Sequence, residues 1–158
     1  MLLHLIRHAH AGDPEAWDGP DAARPLSEKG RSQAERLGRY LADIGFRTDT
    51  IVTSPKLRAR QTAEIVAAHL GIDVVEDQRL AGALDLDTVA AVLKDAEESE
   101  RPVLVGHDPD FSELVSILCD VANAPMRKGA LARIEIEGRL EPGAGTLRWL
   151  IPPDALRQ

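Results

Sequence analysis

The amino-acid sequence predicts an α/β fold in which a mostly parallel central sheet is followed by an antiparallel hairpin. Short apolar runs alternate along most of the chain with segments whose apolar residues recur at helical spacing. This alternation is typical of βαβ units, which build parallel sheets. Toward the end of the chain the pattern changes to two short runs that are separated by the turn-rich residues 138–145. These two runs predict strands that pair as a hairpin.

The first half of the chain predicts two strands, each followed by a helix. In the first helix Ala34, Leu37, Leu41 and Ile44 lie on one face, because residues at these spacings line up along a helix. A glycine follows each helical segment and is expected to end it. The predicted strands are residues 2–6 and 50–53, the predicted helices are residues 27–44 and 59–70, and residues 13–25 are a predicted loop.

The second half of the chain predicts two more strands and two more helices before the hairpin. Asp110 and Glu113 have the spacing of a capping box, which predicts the start of the fourth helix. Residues 103–107 form the clearest strand of the chain. The other predicted segments are a weak strand at 74–75, a helix over 86–96, a helix from 110 to 118, hairpin strands at 131–137 and 147–151, and a short tail at 153–158.

Length and composition limit the class of protein. The chain has 158 residues, a formal net charge of −7 and 44% hydrophobic residues, which fits one globular domain, assigned to residues 1–152. The acidic balance argues against nucleic acid, whose phosphates need a basic surface. The single cysteine, Cys119, excludes an internal disulfide and fits a reducing compartment. Because the first apolar stretch is too short for a signal peptide and no run could cross a membrane, we expect a cytoplasmic protein.

Polar clusters follow three of the predicted strands, where open parallel sheets carry their chemistry. The clusters contain two histidines and several cations. Guanidinium groups match the oxygens of a phosphate, and a neutral imidazole is a potential nucleophile, so the clusters together predict a phosphoryl site. The clustered residues are Arg7 and His8 after the first strand, Ser54, Lys56, Arg58 and Arg60 after the second, and His107 and Asp108 after the fourth.

Four segments of the chain resemble the histidine phosphatase superfamily, which has the phosphoglycerate mutase-like fold. They are LIRHAHAG (5–12), RPLSEKGRSQA (24–34), SPKLRARQTAEI (54–65) and VLVGHDPDFSEL (103–114). The segments occur in the order of the family, and the resemblance covers nearly the whole chain. In length and detail the chain is most similar to the SixA-type phosphohistidine phosphatases.

The resemblance implies a three-layer α/β/α fold and a two-step reaction through a phosphohistidine intermediate on the enzyme. It implies that His8 is the nucleophile, that Arg7 and Arg58 bind the phosphoryl group, and that His107 hydrogen-bonds the phosphoryl oxygens. A neutral nucleophilic imidazole needs its other nitrogen to donate to a backbone carbonyl or to water. The resemblance implies no cofactor and no metal ion.

Asp108 has two interpretations. It follows His107 directly, at the position where the acid-phosphatase branch of the family carries its proton donor, so it is a candidate general acid. The alternative is a residue that shapes the turn or the helix entry before Pro109. A phosphoramidate loses its leaving nitrogen more easily than an ester loses alkoxide, so a weak or absent general acid favours phosphohistidine as the substrate.

Two residues of the quoted segments are expected to have structural roles. Arg24 precedes a proline and is expected to order the loop that follows the nucleophile. Ser54 is expected to cap the helix that carries Arg58. The chain departs from the larger branches of the family at Pro14, where those branches have an asparagine in the phosphate pocket. Proline offers no side-chain donor for a phosphate.

The length of the chain bears on the substrate. Residues 59–106 separate Arg58 from His107, and a helix, a strand and a helix use most of them. The site is therefore expected to be open and shallow, which suits a histidine presented by another protein. We interpret the chain as a phosphatase for protein phosphohistidine, with a histidine-containing phosphotransfer domain as the expected partner. The alternatives are a phosphatase for small phosphate esters or pyrophosphates, and a phosphate-sensing interaction module without turnover.

Overall fold

A computed structural model describes residues 1–156, which contain one six-stranded sheet. The strands are Leu2–Arg7 (β1), Ile51–Thr53 (β2), Val74–Glu76 (β3), Val103–Gly106 (β4), Leu131–Ile136 (β5) and Gly145–Ile151 (β6). Their order across the sheet is β3-β2-β4-β1-β5-β6. The strands β1 to β4 pair with one another in parallel, β5 is antiparallel to β1, and β6 is antiparallel to β5. The predicted α/β fold with a mostly parallel sheet and a C-terminal antiparallel hairpin is confirmed.

Four α-helices cover the two faces of this sheet. They are Glu28–Asp43 (α1), Leu57–Leu70 (α2), Leu86–Asp95 (α3) and Asp110–Cys119 (α4). Alternate strand residues point to opposite faces, so Leu5 packs in the core with α3 and α4, whereas Ile6 packs with α1 and α2. The fold therefore has three layers, as expected. No helix within residues 1–156 is both long enough and apolar enough to cross a membrane.

The helix ends show where local sequence signals hold and where they fail. Ser27 caps α1 by accepting a hydrogen bond from the Gly30 amide at 3.1 Å, and Gly71 ends α2 in the left-handed conformation. The capping box predicted for α4 is wrong, because no side chain of the predicted pair caps this helix. Asp108 takes that role, since its carboxylate accepts from the Ser112 amide at 3.0 Å.

The C-terminal segment differs from the expected tail over most of its length. Pro153–Leu156 form a 3-10 helix that packs against α1, and Pro153 is buried. These four residues therefore belong to the packed fold rather than to a tail. The last two residues of the predicted tail, 157 and 158, lie outside the described residues.

A glycine in α1 determines how closely this helix approaches the segment after β1. A Cβ atom at Gly30 would lie 1.9 Å from the carbonyl oxygen of His10, a backbone atom that cannot move alone. In an open helix, glycine to alanine would stabilise by about 0.5–1 kcal/mol. We expect the steric clash to dominate, so that Gly30→Ala lowers the free energy of unfolding by about 1–3 kcal/mol. Urea denaturation measures the change.

The control for this prediction is Gly82→Ala. A Cβ atom there would come no closer than 3.9 Å to its nearest neighbour, the Arg79 carbonyl oxygen. We expect the stability of this variant to change by less than about 0.5 kcal/mol. Equal stability of the Gly30→Ala protein and the unsubstituted protein would contradict the clash.

Candidate active site

The sheet brings the predicted polar clusters together at the carboxyl ends of β1, β2 and β4. The parallel pairing of β1 with β4 sets Arg7 opposite Gly106, so His8 and His107 leave the sheet side by side. The centroids of the two imidazole rings lie 5.3 Å apart, with 54° between the ring planes. Both histidines are buried, with exposed fractions of 6% and 8%. Within residues 1–156, no group of three or more His, Cys, Asp or Glu side chains is arranged to hold a metal ion.

His8 is held as a neutral imidazole with one free nitrogen. Its Nδ1 lies 2.8 Å from the Ala9 carbonyl oxygen. Because a carbonyl oxygen only accepts, Nδ1 carries the proton and donates it, and Nε2 keeps its lone pair. Burial lowers the pKa of His8 to about 4, opposed by the hydrogen bond to Ala9 and assisted by the charges of Arg58 and Arg7. At neutral pH this ring is therefore an uncharged potential nucleophile.

His107 is also a neutral imidazole, but we assign it a free N–H donor rather than a free lone pair. Its Nε2 lies 2.7 Å from the Ser54 hydroxyl, which accepts a hydrogen bond from the Lys56 amide at 3.2 Å. The buried hydroxyl has no other acceptor within hydrogen-bond distance among the described residues, so we assign its proton to the bond with Nε2 and the ring proton to Nδ1. That Nδ1 is buried and has no hydrogen-bond partner. Burial lowers the pKa of His107 to about 3, with further lowering by His8 and Arg58.

The two predicted arginines are anchored at one end only. Arg7 donates from Nη1 to the Met126 carbonyl oxygen at 2.9 Å. Arg58 donates from its two terminal nitrogens to the backbone and the carboxylate of Asp21, each at 3.0 Å. The Nε atoms of both arginines are buried without a partner.

Unpartnered buried donors concentrate at this site. Among the described residues, four buried side-chain nitrogen or oxygen atoms have no partner, and three of them are Arg7 Nε, Arg58 Nε and His107 Nδ1. A buried donor without an acceptor costs about 1–3 kcal/mol. The concentration of such donors around a neutral imidazole is what an anion with several oxygens would satisfy.

The two cationic side chains nearest to Arg58 in sequence, Lys56 and Arg60, are less buried than Arg58. Arg60 is exposed and pairs with Glu64 at 3.0 Å and with Glu76 at 3.3 Å. Lys56 is half-buried at the N-terminus of α2 and no carboxylate lies within 4.0 Å of its ammonium group in the described chain. The structure thus buries the arginine that the motif selects and exposes the next arginine along the helix.

Arg24 and Ser54 differ in how they match their expected roles. Arg24 is buried and donates from Nη1 to the Ala11 carbonyl oxygen at 2.8 Å, so it orders the loop after the nucleophile as predicted. The prediction that Ser54 caps α2 is wrong, because Lys56 is the capping residue and no side chain caps this helix. The Ser54 hydroxyl contacts His107 instead.

Asp108 lies at the site, but Ser112 engages its carboxylate. One oxygen accepts from the Ser112 amide at 3.0 Å, and the other contacts the Ser112 hydroxyl. The second oxygen also lies 3.8 Å from Nη1 of Arg7. The carboxylate therefore helps to begin α4 and lies near an arginine of the site. The general-acid role stays a prediction.

Asp21 and Thr62 support the site and were not identified from the sequence. The Asp21 carboxylate pairs with Arg58 and, at 3.3 Å, with Arg24. The Thr62 hydroxyl accepts from the Ala9 amide at 3.1 Å and donates to the Arg58 carbonyl at 2.8 Å. Asp21 begins a three-residue 3-10 helix in a segment without a periodic sequence pattern, so no sequence signal could have identified it. Thr62 follows Arg58 by one helical turn, which was a usable signal.

Comparison with known proteins identifies the family. The profile of the histidine phosphatase superfamily (branch 1) matches residues 3–84. An uncharacterized protein of Picosynechococcus sp. is 40% identical over 116 residues, which are 72% of this chain and 70% of that protein. The chain therefore belongs to the histidine phosphatase superfamily.

Within the superfamily, the chain is similar to SixA along its whole length. Phosphohistidine phosphatase SixA of Escherichia coli K12 is 29% identical over 164 residues, covering 99% of this chain and 97% of that protein. A solved structure of the protein histidine phosphatase SixA in complex with tungstate superposes with a TM-score of 0.84 at 26% identity, over 99% of this chain and 100% of that one. The α-ribazole phosphatase of Shigella flexneri shares the fold, with a TM-score of 0.73 at 20% identity over 97% of each chain.

The contact between Ser54 and His107 leads to a spectroscopic prediction. We expect ¹⁵N chemical shifts to show the His107 proton on Nδ1, because we assign the Ser54 hydroxyl as the donor to Nε2. In Ser54→Ala that donor is lost, and the proton should redistribute toward Nε2. Ser116→Ala, a serine of α4 outside the site, is the control and should leave the spectrum of His107 unchanged. Protonation of Nε2 in the unsubstituted protein would contradict the assignment.

Proposed function

We propose that this chain hydrolyses phosphohistidine on proteins through a covalent phosphohistidine intermediate at His8. The observation that carries the proposal is the pair of neutral histidines, one with a free Nε2 and one with a free Nδ1–H, beside two partly anchored arginines. A phosphatase of the histidine phosphatase superfamily needs this combination of a nucleophile and donors for an oxyanion.

In the first step, Nε2 of His8 attacks the phosphorus atom. The bond between phosphorus and the substrate imidazole breaks, and its electron pair goes to the leaving nitrogen. A phosphohistidine ring that is protonated on its other nitrogen leaves as neutral imidazole, without a proton from the enzyme. The phosphorylated His8 ring keeps its Nδ1 proton, and the Ala9 carbonyl stabilises the positive charge that the ring gains.

In the second step, a water molecule attacks the phosphorus atom and the bond to Nε2 breaks. Inorganic phosphate takes up the water oxygen together with its protons, and His8 returns to its neutral form. In both steps the transferring group spreads its charge over three oxygens. The unpartnered donors of Arg7, Arg58 and His107 are suited to bind these oxygens.

The choice of substrate is supported by similarity and by the short connection between β3 and β4. The chain matches phosphohistidine phosphatase SixA along nearly its full length, and a solved structure of SixA holds tungstate, a tetrahedral oxyanion. Residues 77–102 contain a 3-10 helix and α3, but no further domain that could cover the site. A histidine-containing phosphotransfer domain is our expected substrate, and small phosphate esters are the alternative, since α-ribazole phosphatase shares the fold.

A comparison of substrates tests the proposal directly. We would measure kcat/KM for a phosphorylated histidine-containing phosphotransfer domain and for p-nitrophenyl phosphate, each with and without EDTA. We expect the phosphoprotein to be preferred at least about tenfold, which is about 1.4 kcal/mol in transition-state binding. EDTA should leave both rates unchanged, because arginines carry the charge of the phosphoryl group. A preference for the small ester would favour the alternative, and loss of activity in EDTA would overturn metal independence.

The intermediate itself leads to a second prediction. Brief incubation with ³²P-labelled phosphoprotein should transfer label to the enzyme in an acid-labile, base-stable form, and His8→Ala should abolish both label and turnover. The matched control is His69→Ala, since His69 lies in α2 and pairs with Glu35 away from the site. Turnover that survives in His8→Ala would falsify direct attack by His8.

Substitution of Asp108 is expected to affect the two substrate classes differently. An alkoxide needs a proton in the transition state, and a general acid contributes typically about 10²–10⁴-fold. If Asp108 is that acid, Asp108→Asn should cost this much on phosphate esters and less than about tenfold on phosphohistidine. Asparagine can still accept from the Ser112 amide, so α4 should keep its cap.

Asp110→Asn is the control, since it makes the same chemical change two residues later, within α4. Equal losses on both substrates in Asp108→Asn would mean that Asp108 only positions the pocket. No loss on either substrate would limit Asp108 to the start of α4.

A further inference from the structure

A second cavity adjoins the candidate active site. Its volume is about 510 Å³, and Arg7 lines it as well as the active site. Side chains from α1, from the loop before β5 and from the C-terminal 3-10 helix form its walls. Its cationic residues besides Arg7 are Lys29, Arg36, Arg127 and Lys128.

Among the described residues, most of the positive charge of this cavity has no carboxylate beside it. In the described part of the chain, no carboxylate lies within 4.0 Å of the cationic groups of Lys29, Arg36, Arg127 or Lys128. The only carboxylate in the lining belongs to the exposed Asp154.

Two further observations concern the surroundings of these cations. The Nε atom of Arg36 is the fourth buried side-chain atom without a hydrogen-bond partner in the described residues. Burial lowers the pKa of Lys128, and the charges of Arg7, Arg24, Arg58 and Lys29 lower it further. On a chain with a net charge of −7, such a concentration of cations requires a local reason.

Both walls of the cavity are tied to the backbone that carries His8. Gly129, next to Lys128, donates its amide to the carbonyl oxygens of Arg7 at 3.1 Å and of His8 at 3.0 Å. On the other side, the Ser27 amide at the start of α1 donates to the His10 carbonyl oxygen at 3.1 Å. The backbone segments that carry the cationic side chains are therefore fixed relative to the nucleophile.

We propose that this cavity binds carboxylate side chains that flank the phosphohistidine of a protein substrate; this inference rests on the proposed function. The cations come from separate segments on long side chains, and Lys29 and Arg127 are exposed at the rim. Such dispersed charges fit several carboxylates on a surface, whereas a second phosphate would need converging buried donors like those around His8. Complementary charge of this kind also accelerates the encounter of two proteins.

Two synthetic peptides test the proposal. Each peptide contains one histidine that is phosphorylated with phosphoramidate. In one peptide glutamates flank this histidine, and in the other peptide serines flank it. Free phosphohistidine is the reference substrate. We expect kcat/KM for the glutamate peptide to exceed that for the serine peptide by about tenfold at low salt, and the preference to shrink at 0.5 M salt as screening increases. In the double variant Lys29→Glu, Arg127→Glu the preference should disappear or reverse.

The control variant is Arg39→Glu, which changes the charge of an exposed α1 residue that does not line the cavity. It should keep the preference for glutamates. Because both substituted cavity residues are exposed, the double variant should fold, and the neutral pair Lys29→Gln, Arg127→Gln should show a smaller loss of preference in the same direction.

The possible outcomes are distinct. Equal rates on the two peptides in the unsubstituted enzyme would overturn the role of the cavity and leave the proposed function intact. The same would follow if the double variant kept its preference for the glutamate peptide. A small bisphosphate is tested as an inhibitor of both proteins. If the double variant lost only this inhibition and kept its peptide preference, the cavity would be assigned to a second phosphate. Failure to hydrolyse either peptide or free phosphohistidine would overturn the proposed function and this inference together.

Discussion

The hydrogen bond from the His8 amide to the Gly106 carbonyl oxygen, 2.9 Å long, sets the geometry of the whole site. It extends the parallel ladder of β1 and β4 by one residue beyond the strands, so His8 and His107 emerge next to each other. Gly106 is needed at this point, because a Cβ atom there would lie 2.8 Å from the ring of Phe111 in α4. The close approach of α4 to the sheet and the pairing of the two histidines thus depend on the same short stretch of backbone.

Burial makes both histidines neutral, and their hydrogen bonds give them different roles. Desolvation lowers the pKa of both rings well below neutral pH, so neither competes with the arginines as a cation. What distinguishes the rings is the hydrogen bond made by the second nitrogen. A carbonyl oxygen fixes the proton of His8 on Nδ1, whereas a hydroxyl group next to His107 can donate to Nε2. The same side chain can therefore act as nucleophile or donor, according to its backbone and hydroxyl neighbours.

The sequence allowed the sheet, the four helices and the residues at the strand ends to be predicted, because each depends on a local pattern. Apolar runs mark the strands, helical spacing marks α1 to α4, and polar residues directly after a strand must lie at its carboxyl end. The contacts of Asp21 and Ser54 could not be predicted in this way. Arg58 and Asp21 are 37 residues apart, and their contact depends on the path of a loop without periodicity. The failed prediction of a cap by Ser54 has the same origin, since His107 competes for the hydroxyl from 53 residues away.

The carboxylates near the arginines bear on the release of product. In the proposed reaction, uncompensated positive charge beside the three unpartnered donors would also bind the product phosphate tightly, and tight binding of the ground state does not accelerate turnover. Asp21 pairs with Arg58, and Asp108 lies 3.8 Å from Arg7, so each arginine has an anion on one side. These carboxylates reduce the net positive charge that a free phosphate meets, while the buried Nε and Nδ1 donors keep their directions. Directed donors favour the planar transferring group, whose oxygens they can match, over the tetrahedral product. In the proposed reaction, the acidic partners thus lower the charge that holds phosphate, while the directed donors remain in place to stabilise the transferring group.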